Sequence, residues 1–468
     1  MQSSKYKLVY PDWITVNNKQ VPIVNCLPPK IIEWTKIFFK ENQGAHLEPM
    51  YSRLSILENQ FQVQDSGILF RHKDLYLYFK RHYGEENMVN LDQIDPTDDV
   101  VYFFPVELER NNISMFDGGS YEFLHEGNRY SFSLSDIFHG KLLEYIQSGK
   151  VKILIAQLTE FSHGKDTLLC LEDSFSKVNI SGSSIVYTCG NTVTNYNGPI
   201  VQTTAHGTLE QQVSIAHRYP IERSSLGYFC DYVKVDDLNS NVIRNKRFMS
   251  WNRTMDRPHR LALAHIAKKY NLLHDGIFSF LNIFHEDQVS SHLEYLFDLS
   301  EEDRLEIGNE VLSMLPVEVD TQTLNPQGRE WFQTNENNKK ELYSDAYFHI
   351  TSETLFDSYS SPFLSEKTFR PILNLQPFIY LGNYRGLKEI RRLGFKTFDG
   401  FIDESYDLVQ DPRQRWALIE KEIAKFASMT KEELHNWYYS LTDILIYNQR
   451  HFLSLKNFNP LEDTFKLF

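Results

Sequence analysis

The sequence predicts an α/β fold built from two doubly wound, Rossmann-like domains, on three observations. The chain has 468 residues, more than one hydrophobic core normally serves. Unbroken apolar runs such as VKILIAQL, from Val151, have the pattern of parallel strands buried on both faces. Such runs alternate with helical patterns in both halves, which is the signature of helices wound about a parallel sheet. The division is placed near residue 240, giving an N-terminal domain of residues 1–240 and a C-terminal domain of residues 241–468 that ends in helices.

In the first half, DVVYFFPVE (Asp99 to Glu107) reads as a buried strand. Ile137, Leu142, Leu143 and Ile146 then recur at helical spacing, with Asp136 in the first turn and Gly149 closing the helix. VKILIAQL follows as a strand, and SSIVYTCGN (Ser183 to Asn191) is another. In the second half a strand over Phe248 to Trp251 enters a polar loop and then a helix from about His259. Pro258 suits its first turn, where a missing N–H costs nothing. DAYFHITSET reads as a strand, SEKTFRPILNL as a helix with Ser365 as N-cap, QPFIYLG as a buried strand and GLKEIRRLG as a short helix. Two long amphipathic segments, Asp411 to Ser428 and Lys431 to Phe452, complete the chain.

Composition excludes several classes. The 62 acidic residues outnumber the 48 basic ones, for a net charge of −14, which disfavours broad adhesion to nucleic acid or anionic membrane. The four cysteines, Cys26, Cys170, Cys189 and Cys230, form no CxxC pair, and neither a zinc site nor a disulfide framework is expected. MQSSKYKLVYPDW has no apolar signal core, and no run of about 18 apolar residues occurs. A cytoplasmic protein without a membrane span is the expectation.

Two loops at strand ends concentrate the groups that could carry chemistry. Arg253, Arg257 and Arg260 cluster where the Phe248 strand passes into its helix, a place where free N–H groups and guanidinium forks converge on an anion. Glu366 and Lys367 open the helix after the Tyr347 to Ile350 strand. A lysine there opposes the helix dipole unless an anion is bound nearby, and a glutamate there can accept from ribose hydroxyls. Asp403, Glu404 and Asp407 lack the glycine and terminal glutamate of a calcium loop and read as a structural turn. His259 and His265 read as core or helix-surface histidines, with no metal site expected.

SEKTFRPILNLQPFIYLG resembles the signature of the α-1,3-fucosyltransferase family, in which Thr-Glu-Lys opens a helix and a Pro-led apolar strand ends in Gly. Glu366, Lys367, Pro377 and Gly382 fall in register with that pattern. SETLF, containing Glu353, resembles the family's Phe-Glu-Asn stretch, with Thr354 where Asn is expected and a longer spacer to Glu366. GLKEIRRLGFKTFDGFIDESYD is instead similar to bacterial and phage chains that share the Glu-Lys block. About 35 residues carry the fucosyltransferase likeness.

That resemblance implies a GT-B glycosyltransferase, with two Rossmann-like domains facing across a cleft and a nucleotide sugar held by the C-terminal one. No metal would be obligatory, and the reaction would invert the anomeric centre. Glu366 would hold the donor ribose and Lys367 the diphosphate. One of Arg253, Arg257 and Arg260 would bind phosphate, and Glu353 belongs to the same donor set. A GDP-sugar is favoured through the resemblance, and a UDP-sugar is the alternative. Glu160 is the first choice for the general base that deprotonates the acceptor hydroxyl, with Asp117 and Glu122 next and His163 near enough to orient Glu160. The acceptor would be a glycan or another hydroxyl compound, with nucleic acid a partner only as a modified base in DNA. The rival readings are a non-catalytic nucleotide- or glycan-binding protein of the same fold, and an interaction protein using its aromatic residues.

Overall fold

The computed structural model describes residues 5–10, 13–16, 19–22, 79, 82–107, 120–125, 128–133, 138–157, 164–218, 232–282, 288–317, 340–357 and 359–468. Packing divides the chain into two compact units, Met1–Gly207 with Asn459–Phe468, and Thr208–Phe458.

The first unit holds strands β1 (Tyr6–Tyr10), β2 (Trp13–Val16), β3 (Lys19–Pro22), β4 (Met88–Asn90), β5 (Val101–Glu107), β6 (Ser120–His125), β7 (Asn128–Ser133), β8 (Val151–Gln157), β9 (Ile185–Cys189) and β10 (Val201–Thr204). Six of them form a sheet in the order β10-β9-β8-β5-β1-β4, and every neighbouring pair is parallel. β2 with β3, and β6 with β7, are separate antiparallel hairpins. Ile153, Leu154, Ile155 and Ala156 of β8 are all inaccessible to solvent, the double-sided burial that an unbroken apolar run implies. The helix before β8 spans Gly140–Gln147 and buries Leu142 and Ile146. Gly149 ends it at φ +81°, a backbone region in which a Cβ would be strained.

The second unit holds β11 (Lys246–Thr254), β12 (Gly276–Asn282), β13 (Ala346–Ser352) and β14 (Phe378–Leu381). They form an all-parallel sheet ordered β12-β11-β13-β14. Every residue of β13 and β14 is buried. Both units are therefore α/β with Rossmann-like parallel sheets, as the sequence indicates. In each sheet the first strand lies between its second and third. In the second unit the β11 connection through the Pro258–Lys269 helix leads to β12 on one side. The β13 connection through the Glu366–Leu373 helix leads to β14 on the other. The chain thus reverses its winding between β11 and β13, and doubly wound sheets open a crevice at the carboxyl ends of such a strand pair.

Three expectations change. The division near residue 240 moves to Gly207/Thr208, because the Gly207–Arg218 helix buries Leu209, Val213 and Ala216 in one core with Phe248 and Met249. The last residues belong to the first unit, where Leu461 and Phe465 pack with Leu8, Phe79 and Phe103. The segment Lys431 to Phe452 is two helices, Lys431–Ser440 and Thr442–Ser454. At their junction the Ser440 and Thr442 hydroxyls donate to the carbonyls of Trp437 and Tyr439 (2.6 and 2.7 Å), competing with the main-chain ladder. Among the described residues no helix is long and apolar enough to cross a membrane.

Candidate functional site

The site is built where β11 and β13 end. Pro258 occupies the first turn of its helix, as expected, and Arg257 is the N-cap with extended backbone. Arg257 is partly exposed, and its Nη1 donates to the carbonyl of Asp256 (2.8 Å). Arg260 is buried, and its Nη2 donates to the carbonyl of Glu353 (3.2 Å). His259 is inaccessible, stacked on Phe356, with Nε2 at 2.8 Å from the same carbonyl. Burial and the neighbouring Arg260 charge hold His259 well below the usual imidazole range. The ring is therefore neutral, and with a carbonyl as partner Nε2 carries the proton. Arg253 lies on β11, one residue before its end, and its side chain is outside the described residues.

Glu353 follows β13 directly and is 0% exposed. Its Oε1 accepts from the Ser365 backbone N–H (3.0 Å) and the Thr368 hydroxyl (2.5 Å), while Oε2 accepts from the Thr354 N–H (3.3 Å). Burial pushes this carboxyl above its usual range, against the opposing pull of Lys367 and the Ser365 and Thr368 hydrogen bonds. The carboxylate that the resemblance put among donor contacts is thus enclosed and occupied with holding the start of the next helix.

That helix spans Glu366–Leu373. Ser365 is its N-cap, as expected, accepting from the Lys367 N–H (3.3 Å). Glu366 and Lys367 occupy the first turn, with side chains 31% and 20% exposed and Nζ 3.0 Å from Oε1 of Glu366. Burial works against the Glu366 charge, but Lys367 and Arg370 outweigh it and bring the pKa down to about 2. Arg370, one turn further along, was not singled out in the sequence. Its spacing of four from Glu366 is the signal that could have found it.

The low Glu366 pKa has a consequence for stability. A depressed carboxylate stabilises the fold above its unfolded pKa, near 4.5, and this contribution disappears as pH falls towards about 2. Glu353, whose pKa is raised, acts in the opposite direction on acidification. The difference in melting temperature between wild type and Glu366→Gln isolates the first effect. It should be largest near pH 6 and shrink steadily between pH 4.5 and 2; a constant difference would remove the ion-pair account.

β14 ends at Leu381, and the ring of Tyr380 fills the space that a Cβ on Gly382 or Gly386 would need. This gives the Gly of the Glu-Lys block a packing reason. Asn383 ties the loops together, with Oδ1 accepting from the Asp357 N–H (2.7 Å) and Nδ2 donating to Ser360 Oγ (2.8 Å). The acids of FIDESYD hold backbone. Asp403 accepts from the Ser405 N–H, Glu404 from the Phe398 N–H (2.7 Å), and Asp407 from the N–H groups of Leu387 and Lys388 (2.8 and 3.0 Å). His265 pairs with Glu310 (3.1 Å) on its helix surface. An open groove of about 430 Å³ lined by Ser291, Glu294, Tyr295, Asp411, Pro412 and Arg413 shares no residue with the Glu-Lys turn.

The structure therefore brings together Arg260, Glu353 and the Glu366–Lys367 turn, with Arg257 beside them in sequence at the helix start. Glu160, Asp117 and His163 lie outside the described residues. Glu122 is on β6 opposite Ser131, with its side chain outside them as well. No protein-family model matches the chain, and no curated protein matches it.

Proposed function

We propose that the chain is a glycosyltransferase that moves a sugar from a nucleoside diphosphate sugar to a hydroxyl acceptor, with inversion and without an obligatory metal. The observation that carries the reading is the placement of Glu366 and Lys367 in the first turn of a helix beside the β11/β13 reversal. The positive end of the helix dipole and an ammonium group meet there, which suits a diphosphate. Glu366, held ionised down to about pH 2, is an acceptor for the two ribose hydroxyls.

In this reading Lys367, helped by Arg257, neutralises the charge that develops on the leaving diphosphate as the bond from the anomeric carbon to phosphate oxygen breaks. The acceptor oxygen bonds to that carbon from the opposite side, and a carboxylate takes its proton. Glu160 remains the first choice for that base and Asp117 the second. The GT-B arrangement, in which the two units would face across a cleft, belongs to the proposal, as do the preference for a guanine nucleotide and the glycan, other hydroxyl or modified-base acceptor. So does the cytoplasmic location.

Calorimetric titration of the wild type with GDP, UDP, ADP and CDP, without divalent cation, tests the donor half. One base should bind at micromolar strength or better and the others at least tenfold more weakly. A folded protein that binds none of the four would sink the reading and leave Glu366 and Lys367 as a helix start.

A further inference from the structure

Glu353 occupies a position that a contact residue could not. Its side chain is 0% exposed, and so is the side chain of Thr368, from which it accepts a hydrogen bond of 2.5 Å. Ser365, whose N–H it also accepts, is 2% exposed. Both of those donors sit in the turn that starts the Glu366–Leu373 helix. The main chain of the same residue joins two other elements. Its N–H donates to the Leu381 carbonyl at the end of β14 (2.8 Å), and its carbonyl accepts from His259 and Arg260 in the helix after β11. One residue thus fastens two strand ends and two helix starts. A carboxylate without access to solvent is costly to enclose unless its lone pairs are used, and here both oxygens are.

We infer that Glu353 is the positioning residue of the nucleotide site: it touches no ligand, and its buried carboxylate sets the Ser365–Thr368 turn so that the Glu366 and Lys367 side chains are held towards the bound nucleotide. Serine N-caps are common, and Ser365 alone would start this helix. What Glu353 adds is a second anchor from a different strand, which fixes the direction of the turn against the sheet. The Thr368 hydroxyl is the transmitting group, because it lies one residue beyond Lys367 and is closed to solvent. The affinity part of this inference rests on the donor-site reading. The anchoring part does not.

The test uses the full chain as wild type, Glu353→Gln, Thr368→Val and the double variant. Affinity for GDP, UDP, ADP and CDP is measured by calorimetry. Backbone amide exchange is followed over residues 363–370 and, as a control, over Phe378–Leu381. Each single variant should weaken binding of the preferred nucleotide by about tenfold, the size expected when one hydrogen bond to a charged group is lost. The double variant should bind within about twofold of the weaker single one, since both remove the same link. Exchange should rise over residues 363–370 and stay unchanged in Phe378–Leu381.

A Thr368→Val protein that binds like wild type while Glu353→Gln does not would overturn the inference, because Glu353 would then act on the ligand itself. Equal loss of protection in both segments would also overturn it, in favour of a general role in stability. Should Glu353→Gln fail to fold, Thr368→Val alone still gives both readouts. If the wild type binds none of the four nucleotides, the donor reading fails, and the exchange pattern by itself decides whether Glu353 anchors the turn.

Discussion

Lys367→Ala should weaken nucleoside diphosphate binding by roughly 100-fold, with a melting temperature close to that of the wild type. The two expectations have separate physical origins. Lys367 is 20% exposed and pairs with the adjacent Glu366 at 3.0 Å, and a partly exposed pair of this kind contributes about 1 kcal/mol or less to folding. Against a doubly charged diphosphate the same ammonium contributes a charge-assisted hydrogen bond and relief of repulsion, together on the order of 3 kcal/mol. Each 1.4 kcal/mol is a factor of ten. The Lys367 substitution has a second effect, because it leaves the Glu366 carboxylate, ionised down to about pH 2, without its nearest cation and close to a bound anion.

The two side chains should therefore be coupled. Removing Lys367 from a Glu366→Ala protein should cost clearly less than removing it from the wild type, about tenfold instead of 100-fold. Glu366→Gln should weaken binding of a nucleoside diphosphate by about tenfold, through the ribose, and leave inorganic pyrophosphate unaffected. Calorimetry on the five proteins (wild type, Lys367→Ala, Glu366→Ala, their double variant and Glu366→Gln) gives all these values. Strictly additive effects, or an equal loss for pyrophosphate in Glu366→Gln, would separate the two residues from the roles given to them.

The parts of the molecule legible in the sequence are those set by neighbours along the chain. Ser365 is two residues from the N–H it accepts, Pro258 sits in the first turn by its own chemistry, and β13 and β14 announce themselves as unbroken apolar runs. The role of Glu353 is illegible because the helix-start partners of its carboxylate are 12 and 15 residues away, and its carbonyl partners more than 90. The resemblance places it in the donor set, and only tertiary packing shows that it is enclosed. β12 is hidden in the sequence for a related reason. The Leu272–Asp275 helix runs directly into it, with Gly276 already the first residue of the strand, so no loop separates strand from helix. The final ten residues carry Leu461 and Phe465 at a spacing that fits a helix anywhere, and nothing local says that their partners are Leu8 and Phe103.

Arg415→Ala should lower the stability of the second unit by about 4 kcal/mol, the largest single effect expected in the fold. Arg415 is 1% exposed, in the second turn of the Pro412–Ser428 helix. Its guanidinium donates to the carbonyls of Val409 (2.9 Å), Gln410 (3.0 Å) and Asp357 (3.1 Å), with Phe356 at 3.4 Å, and lies 4.3 Å from the Phe356 ring centre. Burial lowers its pKa, while Tyr295, Tyr380, Asp357 and Asp407 pull the other way. Truncation removes the guanidinium from the buried Phe356 and Asp357 carbonyls, at about 1–3 kcal/mol each before relaxation, and opens a cavity beside Phe356. For a unit of this size 4 kcal/mol corresponds to roughly 10 °C in melting temperature. Arg415→Met separates the two contributions. It refills the volume but supplies no N–H, so it should recover only part of the loss; buried charges replaced by apolar side chains are sometimes neutral, and a fully stable Met variant would mean that the carbonyls find water. The Asp357 carbonyl belongs to the loop between Glu353 and Ser365, so the same substitution loosens the approach to the Glu-Lys turn. Nucleotide affinity should therefore fall in Arg415→Met as well, by several-fold, although Arg415 is nearly closed to solvent. Undiminished affinity in a destabilised Arg415→Met protein would instead show that the Glu353 anchor holds the turn without help from the loop behind it.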